Sequence, residues 1–514
     1  VNAYLVHQFL EHAAEHAPEQ TLLIEEKDQS SYGEVDQAAN QTARLLYEFG
    51  IRRGDRVGLL AQNSRTYVEG YYGCLKAGAI AVPLNTAADG PTLTGFLSDC
   101  GARALFVGPR FDKAVCAALA TLPDLNLVVA PDAQKLTAPA HIKVLDWNVK
   151  ATLPASPLDL RQTDLDLASI VYTSGSTGKP RGAMLSHLNL VSNTRSIVTY
   201  LELSATDRVL QILPFYYVYG KSVLNTHVAV GGTVVVENRF MFPGTALDTL
   251  QNQRCTGLSG VPSTFAILLN KTDFAQRPLP DLRYITQAGG PMSPELQRRL
   301  AEAVPQARVF VMYGATEASA RLTYLDPHDL PEKAGSIGKP IPNVELRALR
   351  DDGGACDVDE TGELVARGSN IMRGYWGAAE ETAEVLTAHG YHTGDLGRID
   401  RDGFFWVVGR KKDMIKAGAH RIAAKEIEDA ILEFPDVHEV AVIGIPDEVL
   451  GEAIKACVVF RGDPKSGVEA LAQFLKRRLP LYKQPSSIES YSDLPKNESG
   501  KIMKQKLREP VSTN

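Results

Sequence analysis

Tyr172-Thr-Ser-Gly-Ser-Thr-Gly-Lys-Pro-Arg-Gly182 follows the apolar run Leu167-Ala-Ser-Ile-Val171 and precedes an amphipathic stretch, Leu185 to Tyr200. The run reads as a strand and the stretch as a helix, so this segment is a turn between regular elements and not a Ser/Gly linker. Its glycines, Gly175 and Gly178, let backbone N–H groups approach oxyanions closely. Thr173, Ser174, Ser176 and Thr177 add hydroxyl donors, and Lys179 and Arg181 add positive charge. Together these are the features of a polyphosphate clamp, with ATP as the guest they imply.

The ordinary phosphate-binding loop, G-x-x-x-x-G-K-[ST], does not fit. Its first glycine falls at Thr173 and its metal-binding hydroxyl at Pro180. A second candidate, Gly220-Lys221-Ser222, needs glycine where Phe215 stands. Both mismatches argue against a nucleotide kinase or GTPase of that type.

Working outward from the loop, β-branched runs alternate with helical patterns: Leu5 to His16, Thr21 to Ile24, Tyr32 to Phe49, Arg56 to Leu60, Ser64 to Ala77 and Ala79 to Pro83. The rhythm resumes at Arg208 to Leu213, Gly232 to Val236, Leu282 to Ile285 and Arg308 to Val311, and reads as βαβ units with parallel sheets. From Gly338 to Val408 short strands with Gly and Asp-Gly turns predict a small β-rich subdomain. After Gly409 the connector Arg410-Lys-Lys-Asp413 leads to an α+β pattern: helices at Ala423 to Glu433 and Val468 to Arg478, strands at Val437 to Ile445 and Ile454 to Phe460. The expected fold class is therefore α/β, with a large N-terminal domain over 1–409 and a small C-terminal domain over 410–514.

A chain of 514 residues, 44% of them hydrophobic, can bury more than one core. A formal charge of −7, without a Lys/Arg-rich tract, argues against nucleic acid. No transmembrane segment is expected, since no stretch approaches the ~20 apolar residues a span needs. Val1 to Leu22 carries Glu11, Glu15 and Glu19 where a signal peptide is basic and then apolar, so a cytoplasmic protein is expected. The six cysteines have no C-x-x-C spacing and read as free, mostly buried thiols without a zinc site.

The loop resembles the signature of the adenylate-forming superfamily: acyl-CoA and aryl-CoA synthetases, peptide-synthetase adenylation domains and beetle luciferases. The resemblance continues, in the family's order, through Leu213-Pro-Phe-Tyr-Tyr-Val-Tyr-Gly220, Gln287-Ala-Gly-Gly-Pro291, Tyr313-Gly-Ala-Thr-Glu317 and Gly362-Glu-Leu364. Further on come Tyr391-His-Thr-Gly-Asp395, Gly409-Arg-Lys-Lys-Asp413 and Pro495-Lys-Asn-Glu-Ser-Gly-Lys501. It implies an AMP-forming acid–thiol ligase: a carboxylate attacks the α-phosphorus of ATP, pyrophosphate leaves, and the acyl group passes to a thiol.

By the same resemblance each station takes a role. Lys501 reaches the acyl and α-phosphate oxygens, where positive charge offsets repulsion between two anions. Asp395 holds the ribose hydroxyls, and Arg410 reaches ribose or phosphate oxygens. Glu317 follows the strand ending near Met312 and holds Mg2+, which suits a hard carboxylate. Thr316 meets the α-phosphate and Tyr313 stacks on adenine beside Gly314, while Gly289 and Gly290 leave bare backbone for the purine and acyl group. Lys412 matches the pivot of a mobile C-terminal domain that alternates between adenylation and thioester formation.

The acceptor is either CoA or phosphopantetheine on a carrier protein. In Lys416-Ala-Gly-Ala-His-Arg421 the stretch Gly418-Ala419 lies near the expected thiol tunnel, and Ala419 stands where the family usually has glycine. Tyr216 and Tyr217 occupy the pocket position where amino-acid-activating relatives carry a Phe-Asp pair, so no anion faces an ammonium. A fatty, aryl or alicyclic acid is favoured. The alternatives are a free-standing amino-acid ligase, for example prolyl, that loads a carrier protein, and a luciferase-like oxygenase. Lys221 reads as a solvated helix lysine; a pocket-facing lysine for a second carboxylate is the other reading.

Overall fold

The structure, a computed structural model, describes residues 3–173, 180–417, 420–447, 451–496 and 502–508. The chain divides into two units, one of Val1–Glu345 and Ala366–Tyr391, the other of Leu346–Val365 and His392–Asn514. The class expected from the sequence, α/β with a large N-terminal and a small C-terminal part, is the class observed.

In the first unit, helices pack with two sheets. One has seven strands in the order Lys143–Asp146, Leu127–Ala130, Ala102–Val107, Arg56–Leu60, Ile80–Pro83, Leu167–Thr173 and Arg181–Ser186. All neighbours are parallel except the last two, an antiparallel pair that flanks the glycine-rich loop. The second sheet has nine strands, with Arg308–Tyr313, Tyr284–Gln287, Gly257–Gly260, Arg208–Gln211, Thr233–Val236 and Thr21–Glu25 parallel in its middle. Antiparallel strands close both of its edges.

The near-continuous apolar runs of these strands follow from burial on both faces. Ala104, Phe106, Leu127 and Val129 face one hydrophobic core, whereas Leu105, Val107 and Val128 face another. Helix starts follow their caps: Ser31 with Glu34 opens Tyr32–Glu48, and Ser186 with Asn189 opens His187–Leu201, each satisfying two otherwise orphaned donors reciprocally.

The expected β-rich stretch is present as Val344–Leu349, Gly362–Gly368, Gly390–Ile399 and Phe405–Arg410. Later in the second unit, Met414–Ala417, His420–Ala423, Val437–Asp447, Gly451–Phe460 and Ser487–Ser490 form one sheet. Helices Ala424–Leu432 and Pro464–Arg478 cover it, and Ile415, Ile427, Val442, Val458 and Leu471 fill the core between them. By this division, residues 409 to 412 lie inside the second unit, where Lys411–Asp413 form a short helical turn. Among the described residues no helix is long and apolar enough to cross a membrane. All six cysteines are free thiols, four of them buried.

Candidate active site

The parallel strands of the nine-stranded sheet deliver their following loops to one edge. Gly260, Gln287 and Val311 lie abreast in register at that edge, so Gly289-Gly290 and Tyr313-Gly-Ala-Thr-Glu317 emerge side by side. Arg208–Gln211 is a neighbour in the same sheet and leads through Leu213-Pro-Phe215 to Tyr216 and Tyr217. These two half-buried rings lie 4.5 Å apart immediately before the helix Val218–Val230.

Backbone geometry fixes the Glu317 turn. A side chain at Gly314 would bring a Cβ within 2.0 Å of the Ala320 carbonyl, so only glycine allows the chain to fold back there. Gly289 has φ +88, a left-handed conformation that disfavours side chains. Thr316–Ala318 form one short turn, after which Ser319 and Ala320 hold φ of +54 and +107. Left-handed non-glycine residues store strain and persist only where their surroundings hold them.

A second segment supplies that hold. The Met372 N–H donates to the Glu317 carbonyl at 2.7 Å, and the Ser319 hydroxyl donates to the Asn370 carbonyl at 2.8 Å. Asn370 Nδ2 donates to the carbonyls of Ala318 and Arg321. Tyr375 donates its hydroxyl to Glu317 Oε1 at 2.8 Å. Burial and the adjacent Glu317 charge both raise the Tyr375 pKa, so the phenol stays a donor. The same segment grips the glycine-rich hairpin: the Trp376 N–H bonds the Gly182 carbonyl at 2.8 Å, and the Arg181 guanidinium lies 5.5 Å from the Tyr375 ring centre.

Thus the hairpin that flanks the loop, the Glu317 turn and the tyrosine between them form one cluster. The stretch Arg373-Gly-Tyr-Trp376 was missing from the sequence reading, although its side-by-side aromatics after a glycine mark a close backbone approach. Thr173 ends one hairpin strand, and its Oγ1 donates to the Arg181 carbonyl at 3.4 Å. The expected ligands Ser174, Gly175, Ser176, Thr177, Gly178 and Lys179, the tunnel residues Gly418 and Ala419, and Lys501 lie outside the described residues.

Within the second unit, Asp395 and Arg410 are opposed across two antiparallel strands, with Arg410 Nε 2.9 Å from Asp395 Oδ1. Asp395 is only 6% exposed and its backbone N–H bonds Thr393 Oγ1. Lys412 sits in the adjoining turn with its pKa lowered, first by desolvation and then by the Arg410 charge.

Lys221 departs from expectation: it is 2% exposed, not solvated. It lies on the buried side of Val218–Val230 and lines a cavity with Ser169, Asn193, Thr194, Val218 and Ser319. The helix is buried along nearly its whole length, so no solvent face exists for the lysine to occupy.

No group of three or more His, Cys, Asp or Glu side chains could hold a metal among the described residues. A divalent cation held by the hard carboxylate of Glu317 would therefore draw the rest of its ligands largely from phosphate oxygens and water. That donor set fits Mg2+, which keeps several of its ligands as water and phosphate.

The AMP-binding enzyme family model matches residues 10–376, and the AMP-binding enzyme C-terminal domain model matches residues 426–501. The chain belongs to the AMP-binding enzyme family. It is 34% identical to a feruloyl-CoA synthase of an Amycolatopsis species, with 93% of each chain covered. A crystal structure of an anthranilate CoA ligase in complex with anthranoyl-AMP superposes with a TM-score of 0.89 at 27% identity, covering 98% of this chain and 96% of that one. The o-succinylbenzoate coenzyme A synthetase of Bacillus subtilis, in complex with ATP and magnesium ion, superposes at 0.85 with 28% identity, covering 98% and 99%. The protein is an AMP-forming acid–thiol ligase. It activates a carboxylic acid with ATP to an acyl-adenylate and transfers the acyl group to a thiol.

Proposed function

We propose that this ligase activates an aromatic or alicyclic carboxylic acid and transfers it to CoA. The observation that carries the reading is the Tyr375 clamp, which ties the Glu317 turn to the hairpin of the glycine-rich loop within one unit. In this reading the loop residues Ser174 to Lys179 cradle the triphosphate, aided by Thr173 and Arg181. Thr316 bonds the α-phosphate and Tyr313 covers the adenine over Gly289, Gly290 and Gly314. Glu317 holds Mg2+, which neutralises charge on the phosphates. Asp395 binds the ribose hydroxyls, with Arg410 beside it.

Lys501 is the catalytic lysine, supplying positive charge as the carboxylate and α-phosphate meet. After adenylation a rotation about Lys412 withdraws it and brings Gly418 and Ala419 to the thiol path. The relatives' names support CoA as acceptor in preference to a carrier-protein phosphopantetheine. Tyr216 and Tyr217 line the acid, and among the described residues no carboxylate borders the adjacent cavity, which disfavours an amino-acid ammonium.

The test is pyrophosphate release with a panel of carboxylic acids, each with and without CoA, and with amino acids plus a carrier protein. The expected result is AMP, pyrophosphate and an acyl-CoA from aryl or alicyclic acids, dependent on Mg2+. Release of ADP and phosphate, or thioester formation only on the carrier protein, would overturn it.

A further inference from the structure

Lys221 projects from the helix Val218–Val230 into a buried cavity, where among the described residues its charge has no carboxylate partner. Its ammonium has three donors, yet the acceptor it reaches is Ser169 Oγ at 3.5 Å, a long contact to a hydroxyl already donating to the Ala81 carbonyl. The Tyr71 ring lies 4.9 Å away. Burial lowers the amine's pKa to about 7. Asn193 borders the same cavity with the opposite deficit. Its Nδ2 donates to the Arg321 carbonyl at 3.2 Å, while its buried Oδ1 has no partner. Both residues line one cavity of about 10 Å3, room for about one water-sized group.

A single oxygen that accepts from Lys221 and donates to Asn193 Oδ1 satisfies both, and only a hydroxyl or a water has that valence. A carboxylate needs room for two oxygens and sets a negative charge against Asn193 Oδ1. The cavity also adjoins the acid's expected position. Lys221 stands one turn, about 5.4 Å, beyond Tyr217 on the same helix face. Ser319, which lines the cavity, follows the Thr316–Ala318 turn directly. We propose that the Lys221–Asn193 cavity receives a distal hydroxyl of the acid substrate, making this ligase selective for hydroxylated aromatic or alicyclic acids. The inference deepens the proposed function and rests on the acid lying along Tyr217.

The experiment measures acid-dependent ATP–pyrophosphate exchange with matched probes: 4-hydroxybenzoate against benzoate, 4-hydroxycinnamate against cinnamate, and terephthalate as the dicarboxylate. Wild type is expected to favour each hydroxy acid by about 100-fold or more in kcat/KM, because rejecting the analogue that leaves buried polar groups unpaired is efficient. Lys221→Met and Asn193→Leu, checked for folding by thermal melting, are each expected to reduce that ratio to about fivefold or less. Equal turnover of hydroxylated and unsubstituted acids by wild type would mean the cavity holds a structural water, and would overturn the inference while leaving the ligase reading intact. Preference for terephthalate, or a ratio unchanged in both folded variants, would overturn it too. Exchange with no acid of any class would instead overturn the proposed function beneath it.

Discussion

Lys150 and Lys221 are both buried in the large unit, but among the described residues only Lys150 has a carboxylate beside it. Lys150 ends in an ion pair with buried Glu69, whose other oxygen takes the Arg65 guanidinium at 2.5 Å. Lys76, a third buried amine, lies 3.0 Å from Glu11 and 2.7 Å from Asp36. Lys221 meets a hydroxyl and an aromatic face. Taking an ammonium out of water is expensive unless a partner compensates, so Lys150 and Lys76 are structural and Lys221 is left for a ligand. The contrast separates stability from specificity within a single fold.

Removing the partner of a structural amine gives the largest effect. Glu69→Leu strands Lys150 as an uncompensated charge and should cost about 3–5 kcal/mol, read as a lowered thermal or urea transition, with acid selectivity unchanged. A variant as stable as wild type would erase the distinction between the two lysines.

Removing the solitary amine should act in the opposite direction. Lys221→Met is expected to stabilise the protein at pH 7 by about 1–3 kcal/mol. The sign follows from linkage: the folded-state pKa, about 7, lies below the 10.5 of an ordinary lysine, so the unfolded chain binds more protons between those values. Wild-type stability therefore rises across that window, and the advantage of methionine, greatest at or below pH 7, should fade toward pH 10.5. Melting temperatures across that range check it; a constant gap would show that the amine does not titrate as described.

Glu11 sharpens the comparison from the acid side. Burial pushes its pKa up, but His7 and Lys76 outweigh that and hold it at about 2, below the ordinary 4.5. Its stabilising contribution is present above pH 4.5 and lost as pH falls toward 2. Glu11→Gln should lose about 1 kcal/mol at neutral pH and nothing near pH 2, measured by urea unfolding at each pH. A loss independent of pH would place the effect outside the ion pair.

Tyr375→Phe should have the smallest effect. It frees one Glu317 oxygen of its donor and is expected to lower kcat/KM for ATP by roughly two- to fivefold, the net worth of about 0.5–1 kcal/mol of one typical, partly solvated hydrogen bond. A raised Mg2+ requirement would accompany it if the tyrosine orients that carboxylate; an unchanged requirement would count against orientation.

Much of this was legible in the sequence because its signals are local. Runs such as Arg56 to Leu60 and Arg308 to Val311 announce buried parallel strands, and the stations from Tyr172 to Lys501 announce the family. What escaped depends on contacts between distant segments. Tyr375 meets Glu317 across 58 positions, and Asn370 meets Ala318 across 52, a pairing that no periodicity encodes. Lys221 departs from its sequence pattern for the same reason: lysines prefer solvent, and only the tertiary burial of its whole helix overrides that preference.

The most direct test of the account separates the two half-reactions in Lys501→Ala. Adenylate formation, followed by pyrophosphate exchange, should fall by the equivalent of about 3 kcal/mol or more, while transfer to CoA from a presynthesised acyl-adenylate should stay close to wild type. Normal exchange in that variant, or equal loss of both steps, would contradict the claim that this lysine supplies the charge for adenylation alone.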